Sequence, residues 1–228
     1  MKKLTSKQSV LFKRVFSAIL LVFIILNILF LKNPIYSSAK SVSYTKKCVD
    51  SNTRVLFIGD SRSVDMFSAK KSEIKGKVYN NITVYCKDAG NYDYMVKAIK
   101  MAGIKNYDVI VTWMGANDRG DFSKYQKYYK KLLKKNVKLI LCTVGYSDDS
   151  NLGDEGDRLY YNDYLMCRFN QSLISFAQKN NVKKIDLYSY TRKNIKAEEN
   201  NGVHYDPKPT KKIWNYIVKK IIKKLPLL

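Results

Sequence analysis

The sequence predicts a three-layer α/β/α domain built on a five-stranded parallel sheet. Five short apolar runs alternate with longer amphipathic stretches. Buried parallel strands give such apolar runs, and helices must connect them, so both faces of the sheet are covered. Right-handed crossovers then bring all strand C-termini to one edge, where ligands bind in folds of this kind. The five predicted strands are RVLFIG (54–59), NITVYC (81–86), YDVIVTW (107–113), VKLILCTV (137–144) and VKKIDLY (182–188).

Amphipathic periodicity predicts the helices that cover the sheet. A final helix is expected after "HYDP", with Asp206 as its N-cap and Pro207 at its first position. The apolar stripe of this last helix predicts packing against the core. The other predicted helices cover residues 63–75, 92–104, 121–135 and 157–180.

The N-terminus predicts a segment for export or membrane anchoring. Residues 1–39 hold six basic residues and no acid, and the apolar run VFSAILLVFIILNILFL spans 15–31. A basic stretch followed by such a run is typical of a signal peptide or a single membrane span. The length favours a retained anchor, although "YSSAK" resembles a cleavage site, which would give a secreted protein. The positive-inside rule then places a polar linker, 40–52, and the domain, 53–228, outside the cytoplasm.

The formal net charge is +23, of which +17 remains without the six basic residues of 1–39. Such a surface attracts polyanions. Outside a cell these are anionic wall polymers or lipid headgroups, and the sequence contains no nucleic-acid-binding motif. We therefore predict no nucleic-acid partner. An equally acceptable interpretation is a solvated, lysine-rich face without a specific partner.

Four cysteines leave the redox chemistry open. Two disulfides would suit an oxidising compartment and allow three connectivities. Alternatively Cys142, inside an apolar run, is a buried free thiol. The spacing of the four matches no metal site, so no metal is predicted. The cysteines are Cys48, Cys86, Cys142 and Cys167.

Polar residues follow several of the predicted strands. "GDSRS" follows the first strand and contains Ser61, and the loop after the second strand contains Gly90. "WMGANDRG" follows the third strand and contains Asn117. The only histidine, His204, stands in the loop before the last helix. At one sheet edge, these residues could form a nucleophile, a base and hydrogen-bond donors for an oxyanion.

The order of these blocks resembles that of the SGNH (GDSL-type) hydrolases over about residues 54–223. The resemblance implies a flavodoxin-like SGNH hydrolase fold and hydrolysis of esters without a metal or cofactor. It implies Ser61 as nucleophile and His204 as general base. It also implies an oxyanion hole formed by the backbone N–H groups of Ser61 and Gly90 and the side-chain amide of Asn117.

One position departs from the family pattern Asp-x-x-His. Asn201 stands three residues before His204, where an aspartate would orient the imidazole. Three alternatives follow: a Ser61–His204 dyad helped by Asn201 or a backbone carbonyl, a substitute carboxylate from Asp206 or Glu199, or a weak or inactive enzyme that retains a binding cleft.

These features support three hypotheses of function. The first is an extracytoplasmic serine esterase that removes small acyl groups, such as acetyl, from cell-surface glycans. The second is an acyltransferase that uses the same acyl-serine. The third is a non-catalytic module that binds wall polymer through Lys and Tyr side chains.

Overall fold

The computed structural model describes residues 42–228, which form one compact unit. The predicted anchor segment, 1–39, lies outside the described residues. Among the helices of residues 42–228, none combines the length and the apolar character needed to cross a membrane.

A six-stranded sheet forms the centre of the domain, in the order β2-β3-β1-β4-β5-β6. The five predicted strands are all present and all parallel, which confirms the predicted fold class. The sixth strand, β2, is antiparallel to β3 at the sheet edge. The strands are β1 (Val55–Gly59), β2 (Glu73–Tyr79), β3 (Ile82–Lys87), β4 (Val109–Trp113), β5 (Lys138–Cys142) and β6 (Lys183–Ile185), and β7 (Lys196–Ala197) and β8 (Tyr205–Asp206) form a separate antiparallel pair.

The helix predicted over 63–75 ends already at Val64, and residues 73–75 belong to strand β2. In "EIKGKVY" only Ile74 is buried, and lysines point outwards, as edge strands require. Gly76 has φ +64° at a bulge in the pairing with β3. Asn80 and Asn81, both with positive φ, turn the chain into β3. Asn80 and Asn81 thus allow β2 and β3 to form a hairpin, although the apolar residues of this segment also fit a weak helical periodicity.

Seven helices of the described chain flank the sheet. Three predicted helices differ from expectation in their bounds, and the helix Leu187–Asn194 was not predicted. The first has only four residues, and the predicted helix 157–180 is broken at Asn162, whose side chain caps its second part. The last helix begins at Lys211 rather than Pro207, because Asp206 lies in β8. The helices are α1 (Ser61–Val64), α2 (Tyr92–Ala102), α3 (Ser123–Leu133), α4 (Glu155–Tyr161), α5 (Asp163–Lys179), α6 (Leu187–Asn194) and α7 (Lys211–Lys224).

Both faces of the sheet are covered. Phe57 of β1 packs against Trp214 of α7 on one face, whereas Ile58 belongs to the cluster on the other face. That second cluster includes Tyr125 of α3 and Phe169 of α5. Successive strand residues point to opposite faces, so apolar runs with no polar alternation were the correct signal.

The segment predicted as a linker belongs to the domain from residue 42 on. Val49 is 1% exposed, and the hydroxyl of Tyr44 donates to the carbonyl oxygen of Met66 at 2.5 Å. The backbone N–H of Thr45 donates to the side chain of Asn215 in α7 at 2.7 Å. These contacts fasten residues 42–49 onto the face covered by α7.

Candidate active site

Ser61 lies at the turn between β1 and α1, at the C-terminal edge of the sheet. The buried Asp60 caps α1, and its carboxylate accepts the backbone N–H of Arg62 at 3.1 Å. A Cβ at Gly59 would lie 1.9 Å from the hydroxyl oxygen of Ser63, so this tight turn requires glycine. The local sequence therefore places the Ser61 hydroxyl above the sheet edge.

His204 reaches Ser61 from the loop between β7 and β8. Its carbonyl oxygen accepts the backbone N–H of Glu198 at 2.9 Å, which closes the loop. The ring atom Nε2 lies 3.3 Å from Oγ of Ser61. The structure thus brings together the nucleophile and base that the sequence predicts, although 143 positions separate them.

The partner of the imidazole is Asp65, which the sequence reasoning did not consider. Nδ1 of His204 lies 2.5 Å from Oδ2 of Asp65, and the two side chains are 22% and 11% exposed. A carboxylate only accepts hydrogen bonds, so Nδ1 carries the proton and the lone pair of Nε2 faces Ser61. Asp65 follows Ser61 by four residues, one helical turn, which places both on the same side of α1.

Asn201 serves the backbone of the loop instead of the ring. Its side-chain oxygen accepts the N–H groups of Val203 and His204 at 3.1 and 3.0 Å. Neither suggested substitute orients the ring: Glu199 pairs with Lys196 on the surface, and Asp206 is exposed in β8. The expectation that one of these three groups orients His204 therefore differs from the structure, in which α1 supplies the carboxylate.

Asn117 presents its amide beside the nucleophile turn. It follows β4 in a short 3₁₀ turn, and its Nδ2 donates to the carbonyl oxygen of Gly90 at 2.9 Å. Gly115 begins this turn with φ +116°, and a Cβ there would lie 2.4 Å from the ring of Phe169. One amide hydrogen of Asn117 is used by Gly90, and the second is left for a ligand.

Gly90 has a different role in the structure from the one predicted. Its N–H, expected to point at an oxyanion, donates to the carbonyl oxygen of Lys87 at 3.0 Å. A Cβ on Gly90 would approach that same oxygen to 2.8 Å, which explains the glycine. In this structure Gly90 orients Asn117 through its carbonyl. The other two predicted donors, the amide of Asn117 and the N–H of Ser61 at the start of α1, are left available for a ligand.

Comparisons with known proteins agree with this architecture. No family model and no curated protein matches the sequence. Among solved structures, the chain is similar to a lipase/acylhydrolase from Enterococcus faecalis, with 17% identity, a TM-score of 0.54 and coverage of 75% of this chain and 97% of that one. The described domain has the GDSL-type hydrolase fold.

Two further solved structures are similar in fold to this chain. A GDSL-like lipase from Bacteroides thetaiotaomicron has a TM-score of 0.54 at 15% identity, covering 79% of this chain and 92% of that one. The acetyl xylan esterase AlAXEase has a TM-score of 0.52 at 18% identity, with coverage of 75% and 99%. At such identities the likeness is one of fold.

Within the GDSL-type fold, the carboxylate of Asp118 holds helices α2 and α3 and makes no hydrogen bond with Ser61 or His204. It accepts the hydroxyl of Tyr125 at 2.6 Å and the N–H of Tyr92 at 3.1 Å. Burial raises the pKa of Asp118, and the hydrogen bond from Tyr125 opposes that shift. The "ND" pair of the sequence thus divides into Asn117 at the site and Asp118 behind it.

A buried arginine, Arg62, lies directly beneath the nucleophile turn. Its guanidinium donates to the carbonyl oxygen of Gly145 at 3.2 Å, lies 3.5 Å from the carboxylate of Asp60 and sits 5.5 Å from the ring of Trp113. Burial opposes its charge, but the neighbouring Asp60 outweighs it, and the pKa of Arg62 is raised. Arg62 therefore ties the turn after β1 to the ends of β4 and β5.

All four cysteines are free thiols in the structure. Cys48 is exposed, Cys167 is half-buried, and Cys86 and Cys142 are buried. Burial raises the pKa of the Cys86 thiol well above its usual value. Within residues 42–228 no group of three or more His, Cys, Asp and Glu side chains is arranged to hold a metal ion.

The role of Asn201 can be tested by substitution. We expect Asn201→Asp to leave kcat/KM for an acetyl ester near the wild-type value, because an aspartate accepts the same two N–H groups. Asn201→Ala is expected to lower the free energy of unfolding by about 1–2 kcal/mol through loss of both bonds. Steady-state kinetics and thermal denaturation of the three proteins measure this. A strong rise in activity of Asn201→Asp would show that Asp65 does not fill the acidic role.

Proposed function

We propose that this chain is a GDSL-type serine esterase that acts outside the cytoplasm and removes small acyl groups, acetyl above all, from cell-surface glycans. The observation that carries the proposal is the hydrogen-bonded series from Ser61 through His204 to Asp65. Nucleophile, base and orienting carboxylate in this geometry are what ester hydrolysis requires. The triad also removes the main reason for proposing an inactive binding module, which was the missing aspartate.

Acylation uses the proton path that the geometry provides. Oγ of Ser61 attacks the ester carbonyl carbon while Nε2 of His204 takes the hydroxyl proton. Asp65 stabilises the imidazolium that forms and does not itself take the proton. The tetrahedral intermediate then loses the C–O bond to the leaving alkoxide. His204 returns the proton to that alkoxide, so the products are an alcohol and an acyl-serine.

Deacylation repeats the same steps with water. His204 takes a proton from a water molecule, the resulting hydroxide attacks the acyl carbonyl, and the bond to Oγ breaks as Ser61 regains the proton. The amide of Asn117 and the N–H of Ser61 stabilise the oxyanion in both halves of the cycle. If a glycan hydroxyl replaces water, the product is a transferred acyl group, so acyl transfer is the alternative activity of the same site.

Several features support a glycan ester at a cell surface. The His204 side chain is 22% exposed, so the site is accessible to an ester carried on a large molecule. One solved structure with this fold is an acetyl xylan esterase. The formal charge of +23 favours anionic wall polymers or a membrane surface as the setting. The N-terminal apolar run, 15–31, supports a single-pass membrane protein with its domain outside, or secretion after cleavage.

The activity can be tested with the full-length protein. We would measure release of p-nitrophenol from the acetate and octanoate esters, release of acetate from acetylated xylan, and covalent labelling by a fluorophosphonate. Hydrolysis of the acetates, with the label on Ser61 by mass spectrometry, is the expected result. Absence of both hydrolysis and labelling would refute an esterase, and a label on another residue would refute the mechanism. Protease access to a C-terminal tag on intact cells tests the location.

Asn117 provides a prediction specific to the oxyanion. We expect Asn117→Ala to lower kcat by about 10²–10³-fold with little change in KM, because the donor is used chiefly in the transition state. Asn117→Asp removes the donor at similar volume and is expected to cost at least as much. The exposed Asn200→Ala is the matched control. Equal kcat values for Asn117→Ala and wild type would remove Asn117 from the oxyanion hole.

A further inference from the structure

Lys208 lies on the far side of the acidic member of the triad. Its Nζ is 3.4 Å from Oδ2 of Asp65, the same oxygen that His204 contacts. The same ammonium group is 2.7 Å from Oε1 of Glu198, and the Lys208 side chain is 23% exposed. The lysine thus bridges the carboxylate of Asp65, at the end of α1, and that of Glu198 in the base loop, residues 198–204 between β7 and β8.

The segment around Lys208 also holds Asp65 through its backbone. The N–H of Thr210 donates to the carbonyl oxygen of Asp65 at 2.9 Å. Glu198, the other partner of Lys208, donates its backbone N–H to the carbonyl oxygen of His204. Side chain and backbone therefore connect the base loop and α1 into one closed set of contacts, in which Lys208 supplies the only cation touching Asp65 within the described residues.

We propose that Lys208 is a positioning residue of the esterase, which holds the Asp65 carboxylate against His204 and offsets part of its charge. This inference rests on the proposed function of the same site. Because the lysine shares Oδ2 with the imidazole, it fixes the rotamer of Asp65 and limits how strongly that carboxylate favours a protonated ring.

Other charged groups also surround the imidazole ring. From α1 come Asp65 and, beneath the turn, the buried Asp60. From the loop after β3 comes Asp88, whose pKa is raised by burial and by the charge of Asp65 and lowered by His204 and Lys208. From the base loop comes Glu198, and from the segment after β8 comes Lys208. The buried guanidinium of Arg62 lies against Asp60, and Lys208 contacts Asp65 and Glu198, so removal of Lys208 leaves these two carboxylates without their lysine partner.

The charge balance predicts opposite effects for two substitutions. Lys208→Met leaves more negative charge near the ring, so the acid limb of the kcat/KM profile is expected to move to higher pH. For charges a few ångströms apart at partly exposed sites, the displacement is roughly 0.5 to 2 pH units. Glu198→Gln leaves the Lys208 charge uncompensated, so the acid limb is expected to move to lower pH. Damage to the fold would not produce displacements of opposite sign.

The experiment measures kcat, KM and the pH profile of the full-length protein with p-nitrophenyl acetate. The variants are Lys208→Met, Lys208→Arg and Glu198→Gln, with Lys219→Met as the control that removes an equal charge from the exposed side of α7. For Lys208→Met we expect a loss of about 10-fold in kcat at neutral pH, as for a support of the catalytic groups, with KM little changed. Lys208→Arg is expected to restore both rate and profile. Thermal denaturation establishes that each variant is folded.

The outcomes separate this inference from the proposed function. If the wild-type protein hydrolyses the acetate but Lys208→Met and Lys219→Met give its rate and profile, the role of Lys208 is refuted and the esterase stands. The role would also be refuted if Lys208→Met lowered kcat equally at every pH and Lys208→Arg did not retain the wild-type rate. Lys208 would then have only a structural role. Should Lys208→Met not fold, the displacement of the profile in Glu198→Gln decides. A wild-type protein without hydrolysis or labelling refutes the esterase itself.

Discussion

Replacing Asp65 by Asn is expected to lower kcat/KM for an acetyl ester by about 10⁴-fold, the loss known for such a change in a serine-protease triad. An amide at this position no longer stabilises the imidazolium. It can also donate its N–H to Nδ1, which would place the ring proton on Nε2 and remove the base. The contact of 2.5 Å between Nδ1 and Oδ2, largely shielded from solvent, makes Asp65 sensitive to this change.

The measurement compares Asp65→Asn with Asp65→Glu and with Asp206→Asn. The glutamate keeps the charge but displaces it by one methylene, so an intermediate rate is expected. Asp206→Asn changes an exposed carboxylate that the sequence suggested as a substitute for the missing aspartate, and we expect wild-type activity. A large loss in Asp206→Asn with a small one in Asp65→Asn would show that the loop supplies the acid after all. Thermal denaturation tests whether the variants are folded. We expect them to be folded, because the hydrogen bond from the N–H of Thr210 to the backbone carbonyl of residue 65 is retained.

The central strands of the sheet were predictable because burial on both faces requires apolar residues at nearly every position of the strand. Val55–Gly59 and Val109–Trp113 are buried throughout, and their apolar runs showed this directly. Strand Glu73–Tyr79 was not predictable in the same way. As an edge strand it buries only Ile74, so its pattern carried almost no hydrophobic signal. Helix α6, over Leu187–Asn194, buries only Leu187 and Thr191 and was missed for the same reason.

Some residues of the site were predictable from the sequence in the same way, and one was not. Ser61, Asn117 and His204 follow ordered elements, so their meeting at one edge followed from topology. Asp65 was not predicted, because the family pattern places the acid three residues before the histidine, whereas Asp65 is 139 positions from His204. A signal was present, however. A carboxylate four residues after a candidate nucleophile at a helix start lies on the nucleophile's side of that helix, next to any base that approaches it.

Supplying the acid from α1 has a structural consequence. In the Asp-x-x-His pattern, acid and base share one loop, and the nucleophile stands apart. Here nucleophile and acid share one helical turn, and the base alone comes from the loop. Asn201 is then free to bind the loop backbone, which an isolated base needs in order to be held in place. Asn201 thus holds the backbone of the loop, and Asp65 contacts the ring of His204.

Removal of the nucleophile is expected to have the largest effect of all. For Ser61→Ala we expect kcat for an acetyl ester to fall by about 10⁶-fold and fluorophosphonate labelling to disappear, as in other serine hydrolases. His204→Ala is expected to cost nearly as much, because the hydroxyl at 3.3 Å then has no acceptor for its proton. KM should change little, since neither side chain is required to hold the ester.

The double variant Ser61→Ala/His204→Ala makes the prediction specific to a triad. Because the two groups act in one step, we expect the double variant to be no slower than either single variant, whereas independent contributions would multiply. The residual rate should then depend on Asn117 and the N–H of Ser61, which survive both substitutions. Rates of the three variants, measured with the exposed Ser150→Ala as control, decide the matter. A double variant far slower than both single variants would mean that Ser61 and His204 do not act as one unit.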